Sequence, residues 1–87
     1  DLHEVLFEWQ VDRPMTVIVT GTFDEWSCSV PLAKTPTGFV GSTKISWGEK
    51  IKFKYVVDGQ WVLHEDQVTE TDPGGFVNHV YTAPAAP

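Results

Sequence analysis

At 87 residues with four Trp, five Phe and two Tyr, the chain is long enough for one compact core and too short for two. Its single cysteine, Cys28, excludes an internal disulfide or a cysteine-based zinc site, and the lack of any run of about 18 apolar residues excludes a membrane-spanning helix. Twelve acidic against six basic residues, a net charge of -6, is the wrong overall sign for a protein that grips phosphate backbones.

Val5, Phe7, Trp9 and Val11 alternate with Glu4, Glu8 and Gln10, which predicts a strand over 4–11 with one face buried. Arg13-Pro14 breaks it, and the β-branched run Thr16 to Thr20 predicts a second strand. From Gly21 through Ser29 no period is sustained and turn formers dominate, so the segment is read as a loop. Leu32 to Lys34 is a short strand candidate, Thr35-Pro36-Thr37-Gly38 is a turn, and Phe39 to Ile45 is extended again. Lys50 to Val57 carries the clearest pattern, with Ile51, Phe53, Tyr55 and Val57 on one face and Lys50, Lys52 and Lys54 on the other. Asp58-Gly59 then predicts a type I′ hairpin into Gln60 to Leu63, because both residues tolerate positive φ. Glu65 to Gly75 is read as a longer acidic loop, and Phe76 to Thr82 as the last strand.

Short strands separated by turns, with no amphipathic helix, predict an all-β fold, an antiparallel sandwich of six to eight strands. The module is expected to span 1–82, with Ala83-Pro84-Ala85-Ala86-Pro87 as the start of a Pro/Ala linker or tail.

Catalytic chemistry has little foothold. His3, His64 and His79 show no ligand-type spacing, so no metal or cofactor is expected and the three are assigned to surface or packing. Ser27-Cys28-Ser29 lacks the surroundings of a nucleophile elbow, and Glu65 and Asp66 are taken as solvated loop charges. A noncatalytic binding module is the expectation.

Two tryptophans stand apart from the core pattern: Trp61, directly after the Asp58-Gly59-Gln60 turn, and Trp26, within a polar loop. Either they seal the edge of the sandwich, or they present flat apolar faces to sugar rings while a lysine and an asparagine reach the hydroxyls. Lys50, Lys52 and Lys54 have a third reading, as a local basic stripe, although alternating lysines more commonly mark a solvated strand face.

The strings Gly21-Thr22-Phe23-Asp24-Glu25-Trp26-Ser27, Val30-Pro31-Leu32, Phe53-Lys54-Tyr55-Val56-Val57-Asp58-Gly59-Gln60-Trp61 and Val77-Asn78-His79-Val80 together resemble the glycogen-binding domain of AMP-activated protein kinase β subunits. This is carbohydrate-binding module family 48, and the resemblance runs from about Glu4 to Thr82. It implies an immunoglobulin-like sandwich that binds α-1,4-linked glucans such as glycogen, starch or maltooligosaccharides. Trp26 and Trp61 match the family's two sugar-cradling tryptophans, Lys54 its strand lysine, and Asn78 its asparagine near the last strand. Where the kinase subunits carry a leucine at the tip of the late loop, this chain has Asp72-Pro73-Gly74-Gly75-Phe76, so Phe76 is the substitute apolar surface. The resemblance further implies an α-glucan as partner, with other domains or kinase-complex subunits as a second class; no membrane partner is expected from a chain without a long apolar run, and a cytoplasmic location is the expectation. Three alternatives accompany it: kinase-complex scaffolding with decayed sugar binding; binding of structured DNA, a label some family members carry; and a glucan-targeting module of a larger enzyme such as a branching or debranching enzyme, which shares the ligand.

Overall fold

The computed structural model describes residues 1–87 and contains nine strands and no α-helix. Strands β1 (His3–Trp9), β4 (Ala33–Thr35) and β5 (Gly38–Ile45) form a small sheet in the order β1-β5-β4. The larger sheet runs β3 (Val30–Pro31), β2 (Val17–Gly21), β6 (Lys50–Val57), β9 (Val77–Thr82), β8 (Thr69–Thr71), with β7 (Gln60–Val62) also on β6. All pairs are antiparallel.

The inward residues are those the period-two pattern selects. Val5 and Phe7, Phe39 and Ile45, Val17 and Val19, and Ile51, Phe53 and Tyr55 form one buried cluster between the sheets. Tyr55 lies at its centre, with Trp9, Phe53, His64 and His79 rings around it at 5.2 to 6.2 Å. Burial pushes the Tyr55 phenol up to about 12, and its O–H donates to Gln67 Oε1 (2.7 Å). Trp9 and Trp47 are half-buried and packed on Tyr55 and His3 respectively, and both indole N–H groups are buried without a partner. Both rings therefore serve packing.

Several expectations shift in detail. The first strand stops at Trp9, leaving Val11 exposed, and the 21–29 segment contains a 3-10 turn over Thr22–Asp24. The segment 65–75 is not loop throughout: Thr69–Thr71 pairs with Thr71↔Val77 to Thr69↔His79 register, and being exposed at all three residues it had no apolar alternation to reveal it. With it and the two-residue β3, the count rises to nine. The Asp58-Gly59 hairpin is as expected, with φ of 48° and 83° and Val57 opposite Gln60. Asp58 also accepts hydrogen bonds from Met15 N (2.8 Å) and Thr16 N (2.9 Å), which ties this hairpin to the β1–β2 connection.

His79 is fully buried: its Nε2 accepts from His64 N (2.8 Å), so its Nδ1–H donates to Val68 O (3.1 Å). That arrangement requires the neutral ring, and desolvation lowers its pKa from 6.5. The unfolded chain then binds the proton more tightly, so this contribution to stability is complete above about pH 6.5 and is lost as pH falls through the depressed folded value. The melting temperature should drop on acidification below about pH 6.5 and do so less steeply in His79→Gln; identical profiles would remove His79 from the account.

Candidate functional site

The outer face of the large sheet is organised in cross-strand rows. Thr20 lies opposite Lys54, and Asn78 opposite Glu70; continuing the β6–β9 register one step past Phe53↔His79 sets Asn78 opposite Lys54. Thr20, Lys54, Asn78 and Glu70 thus form one row across four strands. The next row holds Pro31, Ile18, Val56 and Trp61. One edge of β6 is shared: β9 takes Lys50–Phe53 and β7 takes Tyr55–Val57, so Lys54 stands where its partner strand changes.

Trp61 projects from this face and is 53% exposed. Trp26 comes to it from the 22–29 loop, 37% exposed, with ring centroids 6.4 Å apart and planes inclined at 40°. Val56, directly opposite Trp61 on the neighbouring strand, is only 8% exposed although it faces outward. Asn78 is nearly buried, Lys54 half-buried, and neither side chain is committed to a hydrogen bond or ion pair within the protein. Lys50, by contrast, is held by Glu70 at 2.9 Å.

Phe76 is 67% exposed and not stacked on any other ring. The β8–β9 ladder continues through Asp72 N–H to Phe76 O (2.9 Å), which puts Phe76 on the same outer face as Asn78, about 7 Å further along the strand. Asp72 Oδ1 closes the loop by accepting from Gly74 N (2.9 Å) and Phe76 N (3.0 Å).

The loop that delivers Trp26 is costly in itself. Glu25, Trp26 and Cys28 adopt left-handed φ of 54°, 60° and 59°, each a conformation that costs a non-glycine residue about 1 kcal/mol. Asp24 compensates. Its carboxylate accepts from Thr20 Oγ1, Gly21 N, Trp26 N and Ser29 N at 2.9 to 3.1 Å, while Cys28 N donates to Thr20 Oγ1. Burial alone would raise the Asp24 pKa; these donors outweigh it and hold the carboxyl below the ordinary carboxylate range. Gly21 is required for closeness: a Cβ there would meet the Lys52 carbonyl oxygen and Phe53 on the adjoining strand.

Of the residues singled out from sequence, Trp26 and Trp61 are brought into one pair, and Lys54, Asn78 and Phe76 share their face. Asp24, Thr20 and Val56, which order or back that surface, were not singled out. The only trace of Asp24 in the sequence is an Asp two places before a loop tryptophan, a spacing suited to an Asx turn. Asp24→Asn should cost about 1 to 3 kcal/mol, the scale of hydrogen bonds to a charged group, and broaden the Trp26 indole resonance while Trp61 stays sharp. An unchanged Trp26 signal would show that the loop holds itself without the carboxylate.

The family model describing the glycogen recognition site of AMP-activated protein kinase matches residues 3–86. Signal transduction protein MDG1 of Saccharomyces cerevisiae (strain ATCC 204508 / S288c) is 36% identical over 77 residues, covering 84% of this chain and 21% of that protein. The 5'-AMP-activated protein kinase subunit beta-2 of Homo sapiens is 34% identical over 64 residues, 74% of this chain and 23% of that subunit, and the Mus musculus subunit matches to the same extent. The chain spans about a fifth of the length of these curated relatives. With a match over nearly its whole length and a two-sheet sandwich to carry it, the chain belongs to the family of glycogen recognition domains of AMP-activated protein kinase.

Proposed function

We propose that this domain is a noncatalytic binder of α-1,4-linked glucans and that Trp26 and Trp61 form the sugar cradle. The tilted, exposed indole pair carries the reading. A ligand lying on both rings must bend by about 40° over about 6.4 Å, which suits a coiling α-linked chain and not a flat β-linked one. Lys54 and Asn78, on the adjoining row with no partner inside the protein, are assigned to the hydroxyl rims. Phe76, further along the same face, extends the apolar surface to the next sugar.

Burial of each indole against sugar C–H faces contributes roughly 2 to 3 kcal/mol before ordering costs, which gives affinities from micromolar to millimolar. Calorimetric titration with maltoheptaose, β-cyclodextrin and cellohexaose tests the reading: the first two should bind and the third should not. Equal binding of all three would defeat it.

The lysines separate sugar recognition from polyanion binding. Lys50 is already paired with Glu70, and the net charge is -6. Lys54→Gln should therefore weaken maltoheptaose by roughly 1 to 2 kcal/mol with little salt dependence, while Lys50→Gln and Lys52→Gln change it little. Similar, salt-sensitive losses in all three would favour a nucleic-acid ligand. By likeness to the kinase subunit, the parent protein would use this domain to bring a signalling assembly to a glucan surface.

A further inference from the structure

Six consecutive residues of β1, His3 to Glu8, line a groove of about 600 Å³ to which neither Trp26 nor Trp61 contributes. Inward- and outward-facing residues alike line it, as expected along a strand's free edge, and β1 is an edge strand paired with β5 alone. The opposite wall is Asp66 to Val68 with Val80 and Tyr81, and Phe53 lies between.

Which backbone groups face the groove follows from one contact. Glu8 O accepts from the Gln67 side-chain amide at 3.2 Å, so the main chain of Glu8 points away from β5. Alternation along a strand then turns the N–H and C=O groups of Glu4 and Leu6 to the same free side. Gln67 occupies the last acceptor of the row, and His3 Nε2 with Tyr81 OH (2.8 Å) closes the other end. Between them lie about four residues of unpaired edge, some 13 Å of strand. Leu6 and Val68, both 71% exposed, stand at its margins, and its charged lining is three carboxylates, Glu4, Glu8 and Asp66, with no lysine or arginine.

We propose that this groove receives an extended polypeptide segment of a partner, added as a strand to the β1 edge, with basic side chains alternating with apolar ones. Main-chain bonds to Glu4 and Leu6 supply affinity, apolar side chains seat over Phe53 and against Val68, and basic side chains meet Glu4, Glu8 and Asp66. None of Trp26, Trp61, Lys54, Asn78 and Phe76 lines the groove, so the proposal stands or falls independently of glucan recognition.

The test uses a peptide of about eight residues alternating lysine and valine, the same peptide N-methylated at alternate positions, and an acidic version with glutamate for lysine. Binding is read from amide shifts and hydrogen exchange across the domain. The alternating basic peptide should bind and slow exchange at Glu4 and Leu6, N-methylation on the facing edge and the acidic version should each weaken it at least about tenfold, and saturating maltoheptaose should leave it unchanged. Leu6→Pro removes one free-edge N–H without touching the bonds to β5, and should abolish binding with the fold retained. Glu8→Lys is the second variant and should weaken it at least about threefold. Absence of binding at millimolar peptide, indifference to N-methylation, protection at another edge, or an unaffected Leu6→Pro domain would each overturn the proposal.

Discussion

Trp61→Ala is expected to reduce maltoheptaose affinity about 30- to 150-fold, the equivalent of the roughly 2 to 3 kcal/mol assigned to one buried indole. The residue projects from a three-residue strand and is more than half exposed, so its removal does not open the core. Stability should fall by less than about 1 kcal/mol. Trp26→Ala should give a comparable loss of affinity, because a ligand that bends across both rings loses the geometry when either is absent. Trp47→Ala serves as the contrast: Trp47 packs on His3 and its removal should lower stability while sugar still binds. Titration calorimetry alongside thermal melts distinguishes these outcomes. If Trp61→Ala bound within threefold of the parent, or Trp47→Ala folded normally and failed to bind, the cradle assignment would be wrong.

The largest loss of stability should come from Tyr55→Ala. This side chain is fully buried on β6, its ring contacts those of Trp9, Phe53, His64 and His79, and its hydroxyl donates to Gln67. Truncation of a buried aromatic costs about 3 to 5 kcal/mol, a large fraction of the 5 to 15 kcal/mol typical of a whole domain. Gln67 in turn holds Glu8 O, so the cavity would also loosen the 63–68 segment from β1. Tyr55→Phe keeps the ring and removes only the hydroxyl, and should cost about 1 kcal/mol. Urea unfolding of the two variants checks the order; equal losses would mean that the hydrogen bond, and not the ring, dominates.

The long strands were legible because their side chains are sorted by burial. In β6 the alternation of Ile51, Phe53 and Tyr55 with lysines is visible in sequence, and the same residues are inside and outside in the structure. β8 was illegible for the opposite reason: Thr69, Glu70 and Thr71 are all exposed, and their pairing depends on β9 alone. The indole pair could be anticipated from two tryptophans in turn-rich positions, but its 6.4 Å separation could not. That distance rests on Asp24, whose donors come from Thr20, Gly21, Trp26 and Ser29, and on the Asp58-Gly59 turn that aims Trp61. Apart from the Thr20 hydroxyl on Asp24, both carboxylates act through backbone N–H groups, which every residue but proline has, so beyond the Asp24–Trp26 spacing the chain's letters do not give this geometry. His79 was hidden likewise, since its partners are the main chains of His64 and Val68.

Strand β6 puts the core on one side of a single ribbon and, on the other, the outward row that holds Lys54. Ile51, Phe53 and Tyr55 are locked by packing, whereas the side chains at Lys52 and Lys54 lie on the outer face. Selection can therefore act on adjacent letters of the sequence almost independently, one set answering to the core and its neighbours to whatever the outer face meets. Val56 is the point at which the two sets meet, being outward-facing yet buried opposite Trp61. If the proposed cradle holds, a laboratory library that varies Lys54, Asn78 and Phe76 while holding the inward positions constant should explore glucan preference with most members still folded, a latitude that a site buried inside the sandwich would not permit.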